Sequence, residues 1–526
     1  DLSYNEYNPL FMRNGMALQL DVSVADNDTW SNDAIVAGLF DNLAFSVGQF
    51  HTETENLRED INYEQDIING FVQFSLTEGT SVQLEASESE EDKGDASQRL
   101  IPEFSNNDTI KITNEVSTIR AGLSHSLNND TTVLLNSVRR EQDFFSTDST
   151  NPFVIVETDI DRSIDLYEAQ VTNKQEKLAW LAGISRQAEE RESVLDAIYL
   201  PPLSCPLPSC VIATQEDVNQ LRLYGYLYYE ASPMLSLTGG ITHLREKREA
   251  DDDVEKIYPK LGLRVEPETG GVFRLAAFRN RVSVLRTSFY ETLEPTQITS
   301  FNQLYDDIDQ TDSWNYAASY DQRFSKNFQA GISTLHRELE TTIDIQETSS
   351  IPPTRSSEDL EYDDKYANLW LNWAPSSHWA LGLSYSYNRY NLEKELTSSR
   401  SSILAPDGIL KLESHKLPAS ISYFHSSGLI GKLTTTYYDQ KGKFIDRTGF
   451  NILQGEDHGF ITDLTFSYRF TKRRGSVSLG IKNLFDETLN QEDRNSYDAT
   501  DPASSASPSS FTSERAVFGK ISLNFR

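Results

Sequence analysis

Cysteine and methionine are almost absent, with 2 Cys and 3 Met in 526 residues. Positive charge is scarce as well: 47 Lys and Arg face 80 Asp and Glu, a formal net charge of −33. Nucleic acid is disfavoured as a partner, because phosphate backbones are held by an excess of Lys and Arg. No apolar run approaches the ~20 residues that a membrane helix needs. Hydrophobic residues are only 38% and mean hydropathy is −0.50, a poor supply for the several packed cores that this length would need as soluble domains. Phosphate-cradling loops of Walker type are missing. The 8 His form no Ser/His or metal-ligand pattern. His51, His125, His336 and His425 fall within or near strand-like segments, and His415 and His458 near loops. No catalytic residue, metal ligand or cofactor is therefore expected, and the chain is not read as an enzyme. The remaining enzymatic alternative is a Ser–His pair assembled in space on a barrel wall.

Aromatic residues are plentiful, with 24 Tyr and 26 Phe. They recur in alternating segments from one end of the chain to the other, which argues against disorder. In the final segment, AVFGKISLNF, Val517, Gly519, Ile521, Leu523 and Phe525 share one face, opposite Lys520, Ser522 and Asn524. This period-two pattern describes a strand with one apolar and one polar face. Similar alternation marks 379–390, 429–439 and 461–470, while 272–284 switches parity in a way that suggests a bulge. About 22 such segments follow one another, joined by short and long connections in strict alternation. The predicted fold is an all-β, up-and-down antiparallel transmembrane barrel with short periplasmic turns and long extracellular loops. It is read as a single domain over 1–526, with a lead-in at 1–15 and strands and loops over 16–525. Val517, Ile521, Leu523 and Phe525 are assigned to the strand that closes the barrel. The acidic runs ESEEDKGD, EADDDVE and EDLEYDD are expected in loops, as solvated charge without calcium-loop spacing. The stretches TTIDIQETSS and 504–513 are expected to be flexible. The chain opens on DLSYNEYNPLF with no signal peptide, so a signal is expected upstream.

The stretch GSVSLGIKNLFDETLNQEDRNSY resembles the penultimate strand of TonB-dependent outer-membrane receptors, and SERAVFGKISLNF resembles their last strand. Near the start, EYNPLFMRNG, SVGQFHTETENLRED and NGFVQFSLTEGTSVQLEA resemble a narrower group, receptor-type barrels that follow periplasmic tetratricopeptide repeats. The resemblance implies a transport barrel in a Gram-negative outer membrane. It also implies contact with outer-membrane lipid and lipopolysaccharide. The N-terminal plug usual in these receptors is not expected in this chain.

A barrel of about 22 strands encloses a cylinder roughly 40 Å across, so a loop, a missing domain or a periplasmic or pore-filling protein partner is expected inside it. Lys260, Arg264, Arg274, Lys432, Arg469, Lys482 and Lys520 fall on the polar faces of their strands. They are read as a basic lumen wall that attracts anionic solutes or pairs with an acidic plugging segment. The plain alternative is lumen charge paired with neighbouring acids and water. Cys205 and Cys210, in PPLSCPLPSC, suit a small disulfide-closed loop in an oxidising compartment. Two functions remain open at this stage. One is passage of a large solute or polymer; the other is a structural barrel that anchors a surface assembly through acidic loops and transports nothing.

Overall fold

The computed structural model describes residues 14–26, 28–58, 61–95, 100, 107–151, 154–199, 210–248, 253–281, 292–303, 307, 311–347, 354–392, 409–445, 452–492 and 514–525. The strands are β1 (Gly15–Ala25), β2 (Thr29–Phe40), β3 (Leu43–Arg58), β4 (Ile61–Thr77), β5 (Thr80–Asp95), β6 (Asn107–Ser126), β7 (Thr131–Asn151) and β8 (Val154–Lys174). They continue with β9 (Leu178–Tyr199), β10 (Val211–Ser232), β11 (Leu235–Arg248), β12 (Val254–Val265), β13 (Gly271–Arg281), and the short β14 (Gln297–Ile298) and β15 (Phe301–Asn302). The rest are β16 (Asp312–Ser325), β17 (Phe328–Glu347), β18 (Thr354–Ser376), β19 (Trp379–Leu392), β20 (Ile409–Phe424), β21 (Leu429–Ile445), β22 (Ile452–Arg469), β23 (Gly475–Lys482) and β24 (Ala516–Phe525).

All but β14 and β15 form one 22-stranded sheet. It closes where β24 pairs antiparallel with β1, from Leu18 opposite Phe525 to Ala25 opposite Phe518. Within the belt closure leaves no free edge, so the ladder groups there are satisfied without water, the condition for crossing a bilayer. Alternation then sorts the side chains. Ile257 and Leu261 on β12, Leu479 on β23, and Val517, Ile521 and Phe525 on β24 are exposed on the outer face as an apolar belt. Their neighbours in sequence face the lumen.

Connections at one end are short. Asp41 takes a left-handed φ of 51° in the turn between β2 and β3, and Gly428 takes 98° between β20 and β21. Register shifts at Ser75/Thr77, Glu230/Ser232, Arg323/Ser325 and Trp373/Ser376 all lie at this end, where a tight turn must be fitted to a twisted ladder.

At the other end the strands run on far beyond the belt. β9 and β10 each have 22 residues and β18 has 23, where about 9–11 suffice to cross. Two of the acidic runs expected in loops are therefore strand: 88–95 belongs to β5 and 358–364 to β18. Above the belt both faces meet water, so hydrophobic alternation fades while the backbone ladder continues. The third run is split, with 254–255 already on β12. The bulge expected in 272–284 is also corrected, since β13 pairs with β12 and β16 without a register shift. The stretch 504–513 lies outside the described residues.

Candidate functional site: segments folded into the lumen

Between β13 and β16, residues 292–303 and Asp307 lie along the lumen wall. β14 and β15 make a small hairpin whose tip residues, Thr299 and Ser300, both have left-handed backbone, φ 47° and 75°. That conformation costs a β-branched residue about 1–2 kcal/mol. Packing holds it: Ile298 is fully buried with Tyr224, Tyr226, Ala276, Phe278 and Ala317, which come from β10, β13 and β16. The wall makes room through Gly262 on β12, where an added Cβ would meet Thr299 Cγ2 at 2.5 Å. Leu293 is buried against Leu134 of β7.

Charge fixes the rest of the segment. Lys260 Nζ donates to Glu294 Oε1 at 2.9 Å and to the Tyr226 hydroxyl at 2.7 Å. Thr242 Oγ1 and the Tyr226 hydroxyl also donate to Glu294 Oε1, at 2.6 and 2.8 Å, and Arg222 lies 3.9 Å from the other carboxylate oxygen. Burial pushes the Glu294 carboxyl up, but Lys260, Arg222 and the Thr242 and Lys260 hydrogen bonds outweigh it and hold the pKa down at about 2. Two strands beyond β10, on β8, buried Glu168 receives Leu293 N at 2.6 Å, Thr292 Oγ1 at 3.1 Å and the Tyr224 hydroxyl at 2.8 Å. Farther along, Asp307 accepts both terminal nitrogens of Arg337, whose Nε donates to Asn315 Oδ1 at 3.0 Å. Both partners of that pair are buried.

A second inward segment leaves β23 at the Asn-Leu-Phe-Asp block. Asn483 is buried with φ 47°; its side chain accepts from Glu487 N at 3.0 Å and donates to Glu487 O at 2.8 Å. Phe485 stays on the outside, 70% exposed, and Asp486 Oδ1 receives Arg515 N at 2.7 Å just before β24. The block thus turns the chain inward and ties the start of the last strand to it. Beyond it, Leu489 is buried over Gly459 of β22, where an added Cβ would meet Leu489 Cδ2 at 2.6 Å. Gln440 of β21 exchanges two hydrogen bonds with the backbone of Glu492, at 2.6 and 2.7 Å, and Asp457 Oδ2 receives Asn490 N at 2.7 Å. From the β5–β6 connection, Leu100 is buried with Tyr390, Ile409, Leu412 and Phe444. Those residues line the inner face of β19–β21, on the far side of the ring, so Leu100 lies across the mouth from β5.

The seven basic residues expected on the wall all alternate with outward apolar positions, but they divide into two groups. Lys260 lies beneath the first inward segment, Arg264 pairs with Glu266, and Arg274 pairs with Asp321. Lys432, Arg469, Lys482 and Lys520 are exposed around the closing seam. Among the described residues, none of these four makes an ion pair. Cys210 is disulfide-bonded, and Cys205 lies outside the described residues. The sequence reading missed Glu294, Glu168, Asp307 and Arg337 altogether. The signal was a run of apolar and acidic residues, LEPTQITSFNQLYDD, in the long connection between β13 and β16.

No protein-family profile and no curated protein matches the chain. Solved structures do match, and they define the fold class: it is that of the TonB-dependent outer-membrane receptors. The ferripyoverdine receptor of the Pseudomonas aeruginosa outer membrane, bound to ferripyoverdine, is similar over 98% of this chain and 72% of its own, with TM-score 0.69 and 11% identity. The copper transporter OprC is similar over 98% and 84%, with TM-score 0.71 and 10% identity. The FrpB iron transporter from Neisseria meningitidis is similar over 98% and 82%, with TM-score 0.70 and 11% identity. With its apolar belt, the chain is a membrane-spanning barrel of the Gram-negative outer-membrane type.

Proposed function

We propose that the chain is an outer-membrane transport barrel that passes a large solute or polymer through a lumen narrowed by its own inward segments. The observation that carries this reading is the docking of 292–303 and Asp307, held by Lys260, Glu168 and Arg337. A barrel that merely anchors has no use for buried charge inside its pore, where each desolvated ion costs several kcal/mol. The two segments and Leu100 of the β5–β6 connection narrow an opening roughly 40 Å wide. A domain, or a periplasmic or pore-filling partner, outside the described residues closes the remainder. The exposed cations Lys432, Arg469, Lys482 and Lys520 face that remaining space and suit an anionic solute or an acidic partner segment. The outer belt meets lipid and lipopolysaccharide.

The tall acidic rim favours the second reading, an anchoring barrel that transports nothing. Conductance in a planar bilayer separates the two. Replacing 292–311 by a short Gly-Ser linker is expected to raise single-channel conductance severalfold, and charge reversal at the four seam cations to shift selectivity away from anions. Unchanged, negligible current in the linker variant would leave anchoring as the function.

A further inference from the structure

We propose that the outer face of the barrel carries a binding site for a divalent transition-metal ion, formed by His51 of β3 with Glu64 and Asp66 of β4. The site stands apart from the lumen and from the transport reading. His51 sits opposite Asp66 in the ladder, and Glu53 opposite Glu64. Among the described side chains, Ile68, the next outward residue below Asp66, is the last exposed apolar one on β4 at this end. The cluster therefore lies at the upper rim of the belt. One ligand atom from each of His51, Glu64 and Asp66 falls within 4.8 Å of the others. An imidazole with two carboxylates suits zinc, nickel or copper better than calcium or magnesium, which prefer oxygen alone.

The environment of His51 is a second, independent observation. Nδ1 lies 2.9 Å from Asp66 Oδ1. Nε2 is buried, has no hydrogen-bond partner, and faces Glu53 Oε2 at 3.9 Å. A neutral ring that gives its proton to Asp66 turns a bare lone pair toward a carboxylate, which is unfavourable. A metal at Nδ1, beside Asp66 and Glu64, moves the ring proton to Nε2 and directs it at Glu53. Glu53 then becomes the carboxylate that orients a metal-bound imidazole. It is already positioned for this, since Trp30 Nε1 donates to Glu53 Oε2 at 2.9 Å and the Trp30 ring packs 4.4 Å from the His51 ring. Glu90 and Asp92 of β5 lie opposite Asp66 and Glu64, and Glu115 of β6 lies opposite Glu90. This run of negative charge raises the local cation concentration. The competing arrangement is a doubly protonated imidazole bridging Asp66 and Glu53 with no metal.

The test uses the full chain in detergent, titrated with Zn²⁺ by calorimetry and with Cu²⁺ by tryptophan fluorescence. A single saturable Zn²⁺ equivalent is expected, with Cu²⁺ quenching a component that disappears in Trp30→Phe. His51→Gln should abolish that equivalent, and Glu53→Gln should weaken it roughly tenfold or more. Excess Ca²⁺ should not displace Zn²⁺. Folding of each variant is checked by heat-modifiable migration on a gel; if His51→Gln does not fold, Glu64→Gln, which should also lose the equivalent, replaces it. Unaltered Zn²⁺ binding in His51→Gln, or displacement by Ca²⁺ at equal concentration, would overturn the site and leave the bridging imidazolium.

Discussion

The two inward segments leave from the two lowest stretches of the rim, and both nest on a wall glycine. The first rises beside β11–β13, of 14, 12 and 11 residues, and seats Thr299 on Gly262. The second rises between β23 and β24, of 8 and 10 residues, and seats Leu489 on Gly459. They differ in what holds them. The first is fastened by buried charge: Glu294 on Lys260, Asp307 on Arg337, and Glu168 on backbone and hydroxyl donors. Among the described contacts, the second is held through hydrogen bonds to its backbone, from the Gln440 amide to Glu492 and from Asn490 N to Asp457. A buried ion pair tolerates no half-measures, because the partner left behind is an uncompensated charge costing about 3–5 kcal/mol. A lost neutral hydrogen bond costs about 1 kcal/mol net. The first segment is thus a latch with one well-defined docked position, and the second is a contact that loosens by degrees.

The sharpest way to break this contrast is Glu294→Ala. It should strand Lys260 and release the first segment, seen as rapid protease cleavage within 292–303 and as raised conductance. The double change Glu294→Leu with Lys260→Met removes both charges and should recover much of the docking. Equal cleavage in the single and double variants would show that charge is not the fastening. Acid gives a smaller and graded release. With the Glu294 pKa at about 2 against an ordinary 4.5, its contribution is complete above about pH 4.5 and is lost as pH falls toward 2. Hydrogen exchange at 292–303, after correction for intrinsic rates, should therefore rise as pH falls from about 4.5 toward 2. Smallest of all should be Gln440→Ala, about 1–2 kcal/mol, read as faster exchange confined to 489–492 with conductance nearly unchanged. A conductance change as large as that of Glu294→Ala would erase the distinction between the segments.

Most of the barrel was legible because lipid enforces a simple rule. In the belt, every second side chain must be apolar, so Val517, Ile521 and Phe525 announced their strand and its direction. The rule ends where the lipid ends, which is why 88–95 and 358–364 read as loop although the ladder runs through them. The wall cations were readable by the same parity, yet their partners were not. Nothing local in LEPTQITSF says that Glu294 will meet Lys260 across 34 residues, or that Thr299 will accept a left-handed backbone because Gly262 lacks a side chain. His51 was likewise visible only as an isolated histidine, since Asp66 reaches it through ladder register rather than sequence spacing. The Asn-Leu-Phe-Asp block was conspicuous as a resemblance, and its physical task, reversing the chain inward while leaving the Phe485 ring exposed, emerged only from its hydrogen bonds.

The height of the longer strands bears on how anything approaches this protein. A 22-residue strand such as β9 or β10 measures roughly 70 Å and, tilted at about 40°, climbs roughly 55 Å. The hydrocarbon belt takes up about 25 Å of that. Some half of the tall side therefore stands outside the membrane as hydrogen-bonded sheet, a stiff chimney with a slanted top. An arriving molecule, whether cargo, phage or antibody, would meet this chimney's lip well above the lipid surface, and would be admitted or turned away there before it sensed the bilayer at all.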